Sequence, residues 1–352
     1  MGRAVRSLIL IVAFWPALAS AQPPADPPEP AVIAPLAVRS LLLDVKALPD
    51  GRLIAVGERG HVLTSRDAGA SWVQSPAPAR ATLTAVYFAD ARRGWAVGHD
   101  EVILRTIDGG EHWFVAHFAP EREEPLLAVW FDAAGHGLAV GAYATMYRSD
   151  DGGAGWRLVP FETQPIAAAG QAKAPARRGA PGTQGEDMRA DVSAAQPHLN
   201  SIAADSRGRL YVAGEAGHLY RSDDGGQHWL ELPSPYAGSF YGVLPLDGDA
   251  LLAYGQRGHL FRSEDAGRSW QSLASGTQAL LGGAARVAER TVVIAGLEGV
   301  VLISADGGHT FRVHQEADHK GFAAVAPVPG GVVLCGEAGV RRLTLDRLAS
   351  GN

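Results

Sequence analysis

Six aspartates recur in one spacing, Ser/Thr-x-Asp-x-Gly-x-x-Trp, along this chain of 352 residues. They are Asp67, Asp108, Asp151, Asp224, Asp265 and Asp306, and the last copy ends in Phe311 where the others end in Trp. Carboxylates repeated so often could serve acid–base or metal chemistry. Their spacing argues otherwise. The aromatic anchors at 72, 113, 156, 229, 270 and 311 lie 41, 43, 73, 41 and 41 residues apart, and a period near forty residues is the length of a four-stranded propeller blade. Turns spread around a ring cannot bring their carboxylates to one substrate. Each motif reads instead as a hairpin device. The Asp accepts backbone N–H groups just downstream, the Gly supplies φ > 0, the hydroxyl closes the turn, and the Trp offers an apolar plate to its blade's own sheet.

Other chemistries have their own candidate residues. A glycosidase needs two carboxylates about 5–10 Å apart, and Glu58, Asp100, Glu215, Glu298 and Glu337 form the pool for such a pair at the channel mouth. His61, His218 and His259 occupy equivalent places in blades one, four and five. Zinc requires three or four ligands within a few ångströms, so histidines on separate blades predict no metal, and no cofactor is implied. Cys335 stands alone in the apolar run Gly331–Gly336 and reads as a buried thiol. The stretch Ser234 to Gly242, with Tyr236, Phe240 and Tyr241, is either a ligand wall or a filler between blades.

These residues must be positioned by strands. Seven apolar inner strands start near Leu42, Leu83, Leu126, Leu199, Phe240, Leu280 and Phe322, and seven second strands end in Gly57, Gly98, Gly141, Gly214, Gly255, Gly296 and Gly336. The reading is all-β: a seven-bladed propeller of four-stranded antiparallel blades with six Asp motifs. The turn after every second strand then points to one face. Glu58, Arg59, His99, Tyr143, Glu215, Arg257, Glu298 and Glu337, with Tyr236 on a crossing, make a mixed-charge rim suited to a polar protein surface. Within it Arg59 and Arg257 would hold acidic groups of a partner, and Tyr143 and Tyr236 would give apolar contact. The competing reading is that hairpin turns are polar because they are wet. The seventh unit lacks an outer strand, and Ala31 to Val38 is expected to supply it, closing the ring.

The remaining segments bound the domain. Residues 1–21 read as a secretory signal: Arg3 and Arg6, the apolar run Leu8 to Trp15, then Ala19-Ser20-Ala21. Residues 22–35 are a Pro-rich tether, 36–346 the propeller, 162–197 a low-complexity insertion between blades three and four, read as a mobile loop or docking arm, and 347–352 a tail. An exported, periplasmic protein follows, with no stable membrane insertion after cleavage. The net charge of −6 and the absence of a basic stripe predict no nucleic-acid partner.

The motif is that of the Asp-box, or BNR repeat, found also in sialidases. That resemblance implies an arginine triad and a Tyr/Glu nucleophile pair. The inner strands offer Lys46, Tyr87, Trp130, Asn200 and Tyr241 instead. The longer pattern Ala-Val-Gly-x-x-Gly-x-x-x-x-Ser-x-Asp-x-Gly-x-x-Trp, at Ala55 to Trp72 and with small changes at Ala96 to Trp113 and Ala213 to Trp229, resembles the photosystem II assembly and stability factor family. Gly94-Trp95-Ala96-Val97-Gly98-His99-Asp100 is similar to members in non-photosynthetic bacteria. The resemblance implies a lumenal or periplasmic seven-bladed propeller without catalysis. Its partner would be an envelope or membrane protein, a transporter or a photosystem-like complex, which it helps to assemble. A carbohydrate-active protein of Asp-box type, glycosidase or lectin, is the alternative.

Overall fold

The computed structural model describes residues 26–165 and 196–350. Seven sheets, antiparallel except for one added strand in the fourth, follow one another around a central channel. The innermost strands are Leu42–Ala47, Leu83–Phe88, Leu126–Phe131, Leu199–Ala204, Phe240–Pro245, Leu281–Arg286 and Phe322–Val328. Outward from these, each blade adds a second and a third strand, and blades one to six add a fourth. The second strands, such as Leu53–Gly57 and Val292–Gly296, are buried along their whole length. They lie between two neighbouring sheets, which is why they read as continuous apolar runs rather than alternating ones.

The core is divided among seven clusters, each shared by two adjacent blades. One joins Ile54 and Val56 of blade one to Leu83, Ala96 and Leu104 of blade two. The motif aromatics sit in these seams: Trp113 packs among the blade-one residues, and Trp229 among Leu138 and Val140 of blade three. Each plate does meet its own sheet, as expected, and it meets the neighbouring blade as well. The plate is pressed between its own blade and the preceding one, because that seam is where a large apolar surface is removed from water.

The register carries a further device. Every inner strand pairs with its neighbour through a bulge after the first residue, as between Leu42 and Asp44 or Leu199 and Ser201. The extra residue of each bulge is Leu43, Thr84, Leu127, Asn200, Tyr241, Gly282 or Ala323, and all of them line the channel. A bulge re-aims a side chain, here into the bore.

Two expectations about the ends of the sheets are overturned. Ala31 to Val38 forms no strand, and the seventh blade has three strands. The Ala31 N–H bonds to the Ala77 carbonyl, Gln74 of blade one clasps the backbone of Val32 and Ala34, and residues Ala37–Arg39 make a 3-10 turn. The two halves of this segment are thus held by different blades, so it cannot run straight along one edge. Thr163–Pro165, expected to be loop, is a strand that pairs in parallel with Trp229–Glu231, giving blade four a fifth strand. The remainder of the insertion and the signal segment lie outside the described residues. The tail begins as a short helix, Leu345–Ser350, whose Leu348 is buried against blade six. Among the described residues no helix is long and apolar enough to cross a membrane.

Candidate functional site

The face expected to carry the rim is built by one hydrogen bond repeated seven times. The first N–H of each turn donates to the carbonyl just before or at the start of its blade's inner strand: Glu58 to Leu41, His99 to Thr82, Ala142 to Pro125, Glu215 to His198, Gln256 to Ser239, Leu297 to Leu280 and Glu337 to Gly321, at 2.9–3.1 Å. The turns and the inter-blade crossings therefore share one face. The glycine before each turn permits this approach. At Gly98 the backbone is extended, and a Cβ there would collide with the Thr82 carbonyl oxygen.

The middle of six of these turns holds a non-glycine residue in the left-handed region: Arg59 (φ 56°), Asp100 (58°), Tyr143 (51°), Ala216 (50°), Arg257 (55°) and Glu298 (59°). An L residue there costs about 1–2 kcal/mol, which glycine would avoid. Arg59, Arg257 and Glu298 are exposed, and Tyr143 keeps 57% of its surface in water. Arg59 and Arg257 form no ion pair with the described residues. Glu337 and His99 are also exposed.

Other rim candidates are already engaged. Glu58 accepts the Leu41 N–H, and Glu215 accepts the His198 N–H, so both carboxylates cap a crossing. Tyr236 packs on His259 at 4.0 Å and joins the cluster between blades four and five, so the aromatic crossing serves mainly as filler. Glu101, next to Asp100, turns fully inward. It accepts Arg122 Nε at 2.8 Å and the Tyr147 hydroxyl at 2.6 Å. Burial works against its charge, but His117, 3.6 Å away, and the hydrogen bonds from Tyr147 and Arg122 outweigh burial and hold its carboxyl below the usual range. Its partners lie 16 to 46 residues away in sequence, and no local pattern announces them.

The channel encloses about 480 Å³. Lys46, Tyr87, Trp130, Asn200 and Tyr241 all face it, with Asp44 as its one carboxylate among the described residues. Asp44 accepts the N–H groups of Val45 and Val86 and the Lys46 ammonium at 3.1 Å. Thr84 donates to the Leu126 carbonyl and Asn200 to the Phe240 carbonyl. These two bulge residues thus stitch the inner strand of blade two to that of blade three and the inner strand of blade four to that of blade five. Asp44 was readable as a carboxylate inside the apolar run Leu41 to Val45. The histidine set is dispersed: His61 is buried, His218 bonds Glu231, and His259 lies against Tyr236.

The Asp motifs occupy the opposite face, where they pack on the turn between first and second strands, as Gly109 N–H does on the Arg92 carbonyl. In all six the Ser or Thr hydroxyl donates to the Asp and accepts the N–H of the motif glycine; in the first copy these distances are both 2.9 Å. Hydrogen bonds from the Ser71 hydroxyl and N–H bring Asp67 down to about 2. At Asp108 and Asp224 burial pulls upward, but bonds from His112 and His228 prevail, and both settle at about 2. Asp151, Asp265 and Asp306 are lowered as well.

Comparison with known proteins fits this geometry. The family model described as photosynthesis system II assembly factor YCF48 matches residues 73–165. A solved YCF48 bound to D1 peptide is 18% identical, with a TM-score of 0.64, covering 91% of this chain and 97% of that one. YCF48 from Cyanidioschyzon merolae is 19% identical, with a TM-score of 0.64, covering 90% and 98%. The GH74 xyloglucanase from Xanthomonas campestris is 17% identical, with a TM-score of 0.64, covering 89% of this chain and 53% of that one. No curated protein sequence matches. The family match over residues 73–165, with a fold shared around the whole ring, bears out the resemblance that the repeat carried: this chain is similar to the YCF48 family of seven-bladed Asp-box propellers.

Proposed function

We propose that the chain is an exported, non-catalytic propeller that binds a protein segment on its rim and helps a membrane-protein complex of the envelope to assemble. The observation that carries this reading is the set of left-handed turns. Arg59, Tyr143, Arg257 and Glu298 hold side chains where glycine would fold more easily, and all four reach into solvent on one face. Strain kept at exposed side chains suggests that the side chains are wanted. The likeness to a YCF48 bound to D1 peptide supports a partner of membrane-protein origin, and the signal-like residues 1–21 support a periplasmic site of action.

The carbohydrate-active alternative has the fold in common with a xyloglucanase and little else. Asp44 is spent on Lys46 and two N–H groups, and Glu58 and Glu215 cap crossings.

The test is affinity capture from crosslinked envelope fractions, with Arg59→Glu/Arg257→Glu as the control. A membrane protein retained by the native ring and lost by the double variant supports the reading. Equal retention by both removes the rim from it. Hydrolysis of aryl glycosides by the native ring would replace it with the enzymatic one.

A further inference from the structure

The seventh blade ends on an open edge. Its third strand, Gly339–Thr344, pairs with Gly331–Gly336 and with nothing beyond it among the described residues. The direction of its backbone groups follows from alternation in an antiparallel ladder. Gly336 pairs with Gly339 at the turn, and the Leu345 N–H bonds back to the Gly330 carbonyl. Gly339, Arg341 and Leu343 therefore bond inward. Val340 and Arg342 direct their N–H and C=O groups away from the blade, where the other six blades have a fourth strand.

This edge has a charge. Arg342 is exposed and forms no ion pair with the described residues, and neither does Arg39. The two flank the same stretch. The 3-10 turn Ala37–Arg39 packs on the start of the strand so closely that a Cβ on Gly339 would lie 2.7 Å from the Arg39 Cα. Arg342 is three residues further along, or about 10 Å at strand rise. Arg341 is committed elsewhere, to Glu316 and Asp318.

We propose that this edge takes up an extended acidic peptide segment as a fourth strand, with Val340 and Arg342 supplying the backbone bonds and Arg39 and Arg342 the charge complement. Main-chain bonds to an open edge give affinity, and the flanking side chains select the sequence. A second copy of this chain is the poorer occupant, since edge-to-edge pairing about a twofold would set arginines against each other. The site lies on the circumference of the ring and does not depend on the rim reading.

The experiment uses the native protein and two synthetic peptides, one alternating valine and glutamate, the other valine and lysine. In the free protein the Val340 and Arg342 amides should exchange rapidly with deuterium, and the acidic peptide should protect them. Its affinity should fall about tenfold or more in Arg342→Pro, which removes one outward N–H without touching the inward ladder. Arg39→Glu/Arg342→Glu keeps the backbone groups and should reverse the preference toward the lysine peptide. Unfolding midpoints of both variants show whether the blade persists. The proposal is overturned if the two amides are already protected in the free protein, with dilution and a 1–25 deletion telling a second copy from the chain's own segment. It is equally overturned if the acidic peptide protects nothing, or binds folded Arg342→Pro as well as native protein.

Discussion

At the scale of single residues, the Asp motif works because its partners lie within five positions of it. Asp224 accepts the N–H groups of Gln227 and His228, and Ser222 donates to it at 2.8 Å. Replacing Asp224 with Ala leaves those donors to water and should cost about 1–2 kcal/mol, read as a lower denaturation midpoint. The lowered carboxyls also set a pH dependence. Asp67, Asp108 and Asp224 titrate at about 2 in the fold and at about 3.9 when unfolded. The stability they contribute is complete above pH ~4 and is lost as the pH falls toward ~2. Thermal unfolding across that window should show a shallower acid slope for Asp108→Asn than for the native chain, and an unchanged slope would refute the linkage. These turns could be read from sequence because everything they need is local. The Glu101 site could not, since Arg122 and Tyr147 reach it from other elements.

At the scale of elements, the second strands and their terminal glycines were legible as seven apolar runs, because each is covered on both sides whatever its neighbours are. What escaped were pairings that depend on where a chain segment lands. Ala31 to Val38 has the composition of an edge strand, yet Gln74 and Ala77 hold one half of it on blade one. Thr163–Pro165 gives no strand signal of its own and borrows its conformation from Trp229–Glu231. Two substitutions test the seam geometry. Gly98→Ala puts a methyl into the Thr82 carbonyl and should splay the turn of blade two, seen as faster exchange at the His99 amide. Trp229→Ala empties a fully buried site shared by blades three and four and should cost about 3–5 kcal/mol in denaturant titration. A loss below 1 kcal/mol would mean that the seam collapses around the gap.

At the scale of the whole molecule, the repeat made the ring legible but not its closure. Six seams join blades that are consecutive in the chain. The seventh joins Leu42, Val45 and Ala55 to Ala324, Val333 and Cys335, residues from opposite ends of the sequence, so it is the contact with the largest loop-closure cost. Cys335 is the chain's one cysteine. It is wholly enclosed in that seam, and burial pushes its thiol well above the ordinary range. The latch thus carries its own clock. Alkylation of Cys335 in native buffer can proceed only while the seam is parted, so the labelling rate at saturating reagent is the frequency at which the ring opens. A rate far above that of global unfolding would describe a hinged ring that gapes at one joint while six blades stay packed. Equal rates would describe a hoop that breaks only when the entire circle melts.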